Sequence, residues 1–215
     1  MVNKKLICFD VDGTLTETKS LWLALMQGLG CPVDKVVGFF NAAMAGKISF
    51  SEGEKGVADL FRASGKATKE FIESVFDKEI LKSEATDIIE YLRGNGYDIW
   101  LISGAIDVYV RLVAKKIGAA GFFAHSSFEF DEMGILSKIN YSGDQNPWKA
   151  KMVRKLAQNY GILLEDIIFV GDGQNDIDAF KLTGRGIAVY PYDEKLGAVA
   201  WKTIKSLSEI KDILQ

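Results

Sequence analysis

With 215 residues, 48% hydrophobic and 26% charged, the chain has room for one large domain or a core with a small accessory unit, and its composition excludes a disordered or fibrous protein. Its 26 basic and 29 acidic residues leave a net charge of -3 with no basic block, which argues against a nucleic-acid partner. No apolar run approaches the roughly 18 residues of a membrane span, the first residues lack the apolar segment of a signal peptide, and Cys8 and Cys31 have no metal-ligand spacing, so a cytoplasmic protein with free thiols and no membrane partner is expected.

The chain opens on a short apolar run that leads into Asp10-Val11-Asp12-Gly13-Thr14. Strand side chains alternate with a period of two, so both aspartates point the same way if the strand persists through Asp12. Two carboxylates on one face repel and need a cation or a shared proton to coexist. Gly13 permits a tight turn, and Thr14 offers a hydroxyl where the chain leaves the sheet.

Residues 20–29, 33–45, 49–63 and 68–76 then read as helices, from apolar spacing and from the Gly30 and Pro32 breakers. The texture changes after that. A helix over 84–93 precedes a buried strand over 97–102 that ends in Ser103-Gly104, and a helix over 106–117 is closed by Gly118. A strand over 122–130, a loop or hairpin over 131–143, a helix over 149–160 and a strand over 166–170 follow. The glycine-rich acidic stretch GDGQND opens a helix over 177–182, before a strand over 186–189 and a closing helix over 207–214.

Alternating short strands and helices predict an α/β fold with a doubly wound parallel sheet. The helical block interrupts that alternation. It predicts an α/β core from residues 1–16 and 81–215 and an inserted helical cap over 17–80. Ligands of such sheets bind beyond the carboxyl ends of the strands, where Asp10, Asp12, Ser103, Gly104, Asp172, Asn175 and Asp176 would converge. Asp172 and Asp176, four apart as a loop enters a helix, can face one site. An oxygen-rich cluster without histidine or thiol suits Mg2+, which is usually shared with phosphate.

Taken together, these motifs resemble those of the haloacid dehalogenase (HAD) superfamily hydrolases: DVDGT as the first motif, Ser103 in LISGA as the second, and GDGQND as the fourth. Lys149, with Lys151 as the fallback, is placed as the third, as in the phosphoserine-phosphatase-like branch. The resemblance spans nearly the whole chain and implies a Rossmann-like core with a helical cap of the C1 type. It implies a phosphatase acting on a small-molecule phosphate ester. By that resemblance Asp10 is the nucleophile that forms an aspartyl-phosphate, and Asp12 is the acid and then the base. Mg2+ is held by the carboxylates of Asp10 and Asp172 and by the Asp12 carbonyl, with Asp176 orienting water on the metal. Ser103, Gly104, Gly13 and Asn175 line the phosphate position, and Lys149 offsets charge. Four ionised carboxylates would repel a phosphate dianion; protonated Asp12, Mg2+ and Lys149 bring the site near neutrality.

In that branch an acidic residue after the first motif and a cap arginine hold the amino-acid head of phosphoserine, and Lys19 and Val57 occupy those positions here, with Glu17 and Lys55 or Arg62 near enough to substitute. A phosphomutase and a non-hydrolytic phosphoaspartate signalling or binding protein stay open as alternatives. A monomer is the default expectation, and a homodimer is compatible with the sequence. Most cap aromatics (Trp22, Phe39, Phe40, Phe50, Phe61, Phe71), together with Met26 and Met44, read as core of the cap. Trp148 reads as packing, and His125, the lone histidine, as a core residue far from the motifs.

Overall fold

The computed structural model describes residues 5–143 and 145–214; positions 1–4, 144 and 215 of the expected core segments lie outside them. In chain order the regular elements begin with β1 (Lys5–Phe9), followed by four helices: α1 (Leu21–Leu29), α2 (Val33–Met44), α3 (Phe50–Ala63) and α4 (Lys69–Asp77). Then come α5 (Ala85–Gly94), β2 (Tyr97–Ile106), α6 (Asp107–Ile117), β3 (Gly121–Phe130), β4 (Leu136–Tyr141) and α7 (Gln145–Tyr160). The chain finishes through β5 (Ile167–Gly171), α8 (Ile177–Thr183), β6 (Gly186–Val189), α9 (Glu194–Gly197), β7 (Lys202–Ile204) and α10 (Ile210–Ile213).

Seven strands form one sheet in the order β4-β3-β2-β1-β5-β6-β7. Strand β1 lies in its middle, parallel to both β2 and β5, while β4 is the antiparallel hairpin partner of β3. This is the expected Rossmann-like α/β architecture, with an antiparallel edge strand added. Alternation along β1 buries both faces: Ile7 and Phe9 join a cluster with Ile168 and Val170, whereas Leu6 and Cys8 join another with Ile167 and Phe169. The second cluster includes Val153 and Leu156 of α7, so even-numbered residues of β1 face that helix. Among the described residues no helix is long and apolar enough to cross a membrane.

Helices α1, α3 and α4 form where hydroxyl caps start them, whereas α2 follows Pro32 without a side-chain cap. Ser20, Ser49 and Thr68 accept from the amides of Leu23, Glu52 and Phe71, satisfying donors that the first helical turn leaves unpaired. Gly30, in the left-handed region at φ 70°, ends α1. The two chain crossings that bracket these helices are tied together. Glu17 N–H donates to the Ile80 carbonyl at 3.1 Å and Lys82 N–H to that of Leu15 at 2.9 Å, around an antiparallel bridge of Thr16 with Leu81.

Several elements differ from their sequence expectation. Strand β1 stops at Phe9, because the Val11 carbonyl accepts from the amides of Thr14, Leu15 and Thr16 and winds the chain into a turn. Strand β2 runs through Ser103-Gly104 to Ile106, with its register against β3 shifting between Ser103 and Ile106. Helix α7 begins four residues before Lys149. Short β7, which pairs with β6, carries no periodic signal of its own. Phe40, Phe50 and Met44 are exposed rather than core, whereas Phe61 and Met26 are buried as expected.

Candidate active site

Asp10 follows β1 directly, and its N–H still donates to the Val170 carbonyl at 2.9 Å, so it keeps the strand's alternation. Its even register sends it toward α7, where the fully buried Lys149 ammonium lies 2.8 Å from Asp10 Oδ1 and 2.6 Å from Asp176 Oδ1. Lys151 is exposed on the outer face of α7, so of the two candidate lysines Lys149 is the one that reaches the aspartates.

Asp12 does not share Asp10's partners. It sits in the turn that replaces the strand, and its Oδ2 accepts from the first amide of α1, Leu21 N–H, at 3.0 Å. The turn, rather than strand alternation, therefore aims it. Its Oδ1 is buried and has no hydrogen-bond partner.

Two glycines provide the clearance for two other carboxylates. A Cβ on Gly13, at φ +75°, would lie 2.4 Å from Asp172 Oδ2, and one on Gly171 would lie 2.3 Å from Asp176 Oδ2. Asp172 is further held by the Thr14 hydroxyl, which donates to its Oδ1 at 3.0 Å, and Asp176 by the Gly173 N–H, which donates to its Oδ2 at 3.1 Å.

Asp10, Asp172 and Asp176 place carboxylate oxygens within 4.8 Å of one another, and Asp12 contributes none to that cluster. Three carboxylates thus face one ammonium in a largely buried site. Burial raises the Asp172 pKa to about 6, with the charge of Asp10 adding to the rise and the Thr14 hydroxyl opposing it. Burial likewise raises Asp12 to about 7, against the Leu21 amide and reinforced by Asp10. Asp176 is raised by burial despite its ion pair with Lys149. For Lys149 burial works against the charged form, but the two facing carboxylates outweigh it and hold the ammonium protonated. The surplus of negative charge and the all-oxygen donor set fit a hard divalent cation.

A cleft of about 220 Å³ opens beside this cluster, lined by Asp10, Asp12, Ser103, Gly104, Asp172 and Asn175, with Lys19, Ser20 and Trp22 on its rim. Gly13, Lys149 and Asp176 lie outside that lining. The Ser103 hydroxyl accepts from Ala105 N–H at 3.1 Å within the irregular end of β2, which turns this segment toward the cleft.

Sequence reasoning missed Lys82, whose ammonium donates to the Gly13 carbonyl at 2.5 Å and braces the turn beneath Asp172. Sixty-nine residues separate the two, and no local pattern signals the contact. It also placed His125 far from the motifs. The ring is buried as expected, but it stands 5.2 Å from that of Trp148, the neighbour of Lys149.

A buried carboxylate cluster bridged by Lys149, at the carboxyl ends of adjacent parallel strands, defines a metal-compatible class of α/β protein. The chain belongs to the haloacid dehalogenase-like hydrolases, a family whose pattern matches residues 4–184. It is 30% identical over 192 residues to the phosphoserine phosphatase of Methanocaldococcus jannaschii, covering 86% of this chain and 85% of that one. Against two other phosphoserine phosphatases it spans 52% and 44% of their length. Among solved structures it resembles a substrate-bound phosphoserine phosphatase complex, with a TM-score of 0.77, 26% identity and full coverage of both chains. It also resembles a phospho-aspartyl intermediate analogue of phosphoserine phosphatase, with a TM-score of 0.76, 27% identity and 99% of each chain covered.

Proposed function

We propose that this hydrolase is a Mg2+-dependent phosphatase that cleaves a small phosphomonoester through an aspartyl-phosphate on Asp10. The observation that carries the reading is the buried Lys149 ammonium bridging Asp10 and Asp176, behind a cleft that Asp10 and Asp172 line together with Ser103 and Gly104. Membership of the hydrolase family, together with the phosphatase relatives, makes the chain a phosphoric monoester hydrolase.

In this reading an Asp10 carboxylate oxygen attacks phosphorus and the ester oxygen departs, which splits one difficult displacement into two easier ones. Asp12 gives its proton to the departing alcohol oxygen. Its carboxyl, raised to about 7, is substantially protonated near neutral pH, as an acid must be. In the second half Asp12 takes a proton from the water that attacks the aspartyl-phosphate, and Asp10 is regenerated. The Lys149 ammonium fixes the Asp10 carboxylate and opposes charge gathering on it. Ser103 and the Gly104 amide are assigned to the phosphoryl oxygens, with Gly13 and Asn175 shaping the surrounding loops.

Asp10, Asp172 and the Asp12 carbonyl would hold Mg2+, with Asp176 behind them. When bound, the ion supplies the countercharge that lets a phosphate dianion approach carboxylates. Residues 17–80 are read as a cap over the cleft, since α1 supplies Trp22 to its rim and the paired crossings at 15–17 and 80–82 join it to the sheet. A cytoplasmic setting accords with the two buried free thiols, Cys8 and Cys31.

The test is phosphate release from p-nitrophenyl phosphate with and without Mg2+, by the wild type and by Asp10→Asn. Mg2+-dependent release that falls by roughly three orders of magnitude or more in Asp10→Asn is expected. Full activity in excess EDTA, or in the variant, overturns the reading.

A further inference from the structure

A second cavity, of about 230 Å³, adjoins the catalytic cleft and shares Ser20 and Trp22 with it. Its walls are Trp22 and Met26 from α1, Val37 and Phe40 from α2, and Tyr141 from the end of β4. No charged side chain is among its lining residues.

The cavity is built as an aromatic slot. The Trp22 indole stacks on the Tyr141 ring, with centroids 5.5 Å apart and planes 13° apart, and Phe40 lies 6.3 Å from Tyr141. Tyr141 is pinned from behind: its N–H donates to Glu54 Oε1 at 2.6 Å, and the His125 ring meets it edge-on at 5.9 Å. Phe40 and Val37, 44% and 42% exposed, leave the outer side open to an incoming group.

Among the described residues, no charged group that could hold a zwitterionic substrate head lines the slot. Val57 is buried in the core. The Arg62 guanidinium donates to the Leu136 and Ser137 carbonyls at 3.2 and 2.9 Å and pairs with Asp59. Among the described residues, no arginine lines the cleft or the slot, and Lys19 belongs to the cleft alone.

We infer that the substrate's alcohol portion carries an uncharged, ring-bearing group that seats in this cavity against the edges and free faces of Trp22, Phe40 and Tyr141 while its phosphate occupies the adjoining cleft. This inference rests on the phosphatase reading. A cavity of about 150 Å³ lined by apolar side chains accommodates benzene, so the slot is large enough for one ring. Removing a ring from water and packing it against aromatic side chains favours such an ester over its short-chain counterpart by about tenfold or more.

The experiment compares kcat/KM for 2-phenylethyl phosphate, ethyl phosphate and O-phospho-L-serine, each with Mg2+. All three esters leave through a primary alkyl oxygen, so their ratios read the group bound next to it. The expected result is 2-phenylethyl phosphate ahead of both others by at least about tenfold, with Phe40→Ala and Val37→Glu each drawing its ratio to ethyl phosphate toward one. Both positions are partly exposed, and thermal melts check that the variants fold.

Mg2+-dependent hydrolysis of ethyl phosphate without a preference for the phenyl ester, or with phosphoserine ahead, overturns the inference and leaves the phosphatase reading standing. A preference that both substitutions leave intact overturns the assignment to this slot. If none of the three esters nor p-nitrophenyl phosphate is hydrolysed, the phosphatase reading fails, and the inference with it.

Discussion

At the strand ends charged side chains are held by charged or polar partners: Lys149 by Asp10 and Asp176, Asp172 by the Thr14 hydroxyl, Asp12 by the Leu21 amide. The slot between α1, α2 and β4 is held by ring contacts, and two of its walls, Val37 and Phe40, reach solvent. Displacing a member of the first region strands a buried charge, whereas displacing a solvent-facing wall of the second alters a surface. The residues proposed for chemistry are thus coupled to one another, and those proposed for selectivity are exchangeable one at a time.

The hardest blow to that contrast is Lys149→Met, which removes the cation from a fully buried ion pair. A loss of about 3–5 kcal/mol is expected in urea unfolding of the metal-free protein, the cost of leaving an uncompensated buried charge. A loss below 1 kcal/mol would mean that the carboxylates tolerate one another without it.

Next in size is Gly13→Ala, set beside Gly30→Ala. Both glycines have positive φ, +75° and +70°, so each variant bears a left-handed backbone cost of about 1–2 kcal/mol. A Cβ at Gly30 meets nothing within 4 Å, while one at Gly13 meets Asp172. Gly13→Ala is therefore expected to destabilise more and also to weaken Mg2+ binding measured by calorimetry, an effect that Gly30→Ala should lack.

Acidity sharpens the comparison more gently. Burial lifts Asp12 to about 7 and Asp172 to about 6, so the folded chain retains protons that the unfolded chain releases from about pH 4 upward. Their contribution to stability is complete below pH 4 and is lost as pH rises through 6 to 7. The melting temperature in EDTA should fall by a few degrees from pH 5 to pH 8, and saturating Mg2+ should flatten that slope by favouring the charged forms. A melting temperature that rises over this range in EDTA would show that the carboxylates are not crowded. The smallest effect belongs to Phe50→Ser: Phe50 is 43% exposed, and the change should shift stability by no more than about 0.5 kcal/mol.

The carboxylate cluster was legible in the sequence because its residues stand at strand ends and in a glycine-rich turn, where local pattern and position coincide. The sheet, the helical block and the convergence of Asp10, Asp172 and Asp176 follow from that coincidence. That Asp12 shares the cleft with Asp10 was expected, but what aims it was not legible. Its aim depends on amides of Thr14 to Thr16 competing for the Val11 carbonyl, a contest that alternation cannot foresee. Nor were Lys82 on the Gly13 carbonyl or Tyr141 against Trp22, because each joins residues far apart in the chain. The exposed faces of Phe40 and Met44 escaped for a related reason: helical spacing marks an apolar stripe without saying what covers it.

The place of β1 in the sheet has a consequence for the order of events during synthesis. Its neighbour β5 lies near the other end of the chain, and Thr14 and Asp172, which share a hydrogen bond, are 158 residues apart. A ribosome-bound chain carries Asp10, Asp12 and Ser103 long before Lys149, Asp172 and Asp176 exist. It has the first carboxylates without their cation or their cradle. The contacts that complete the cluster close among the longest loops in the molecule, and such closures are slow. The carboxylate cluster therefore assembles late and as a unit, once the segments around residues 10–14 and 149–176 have met.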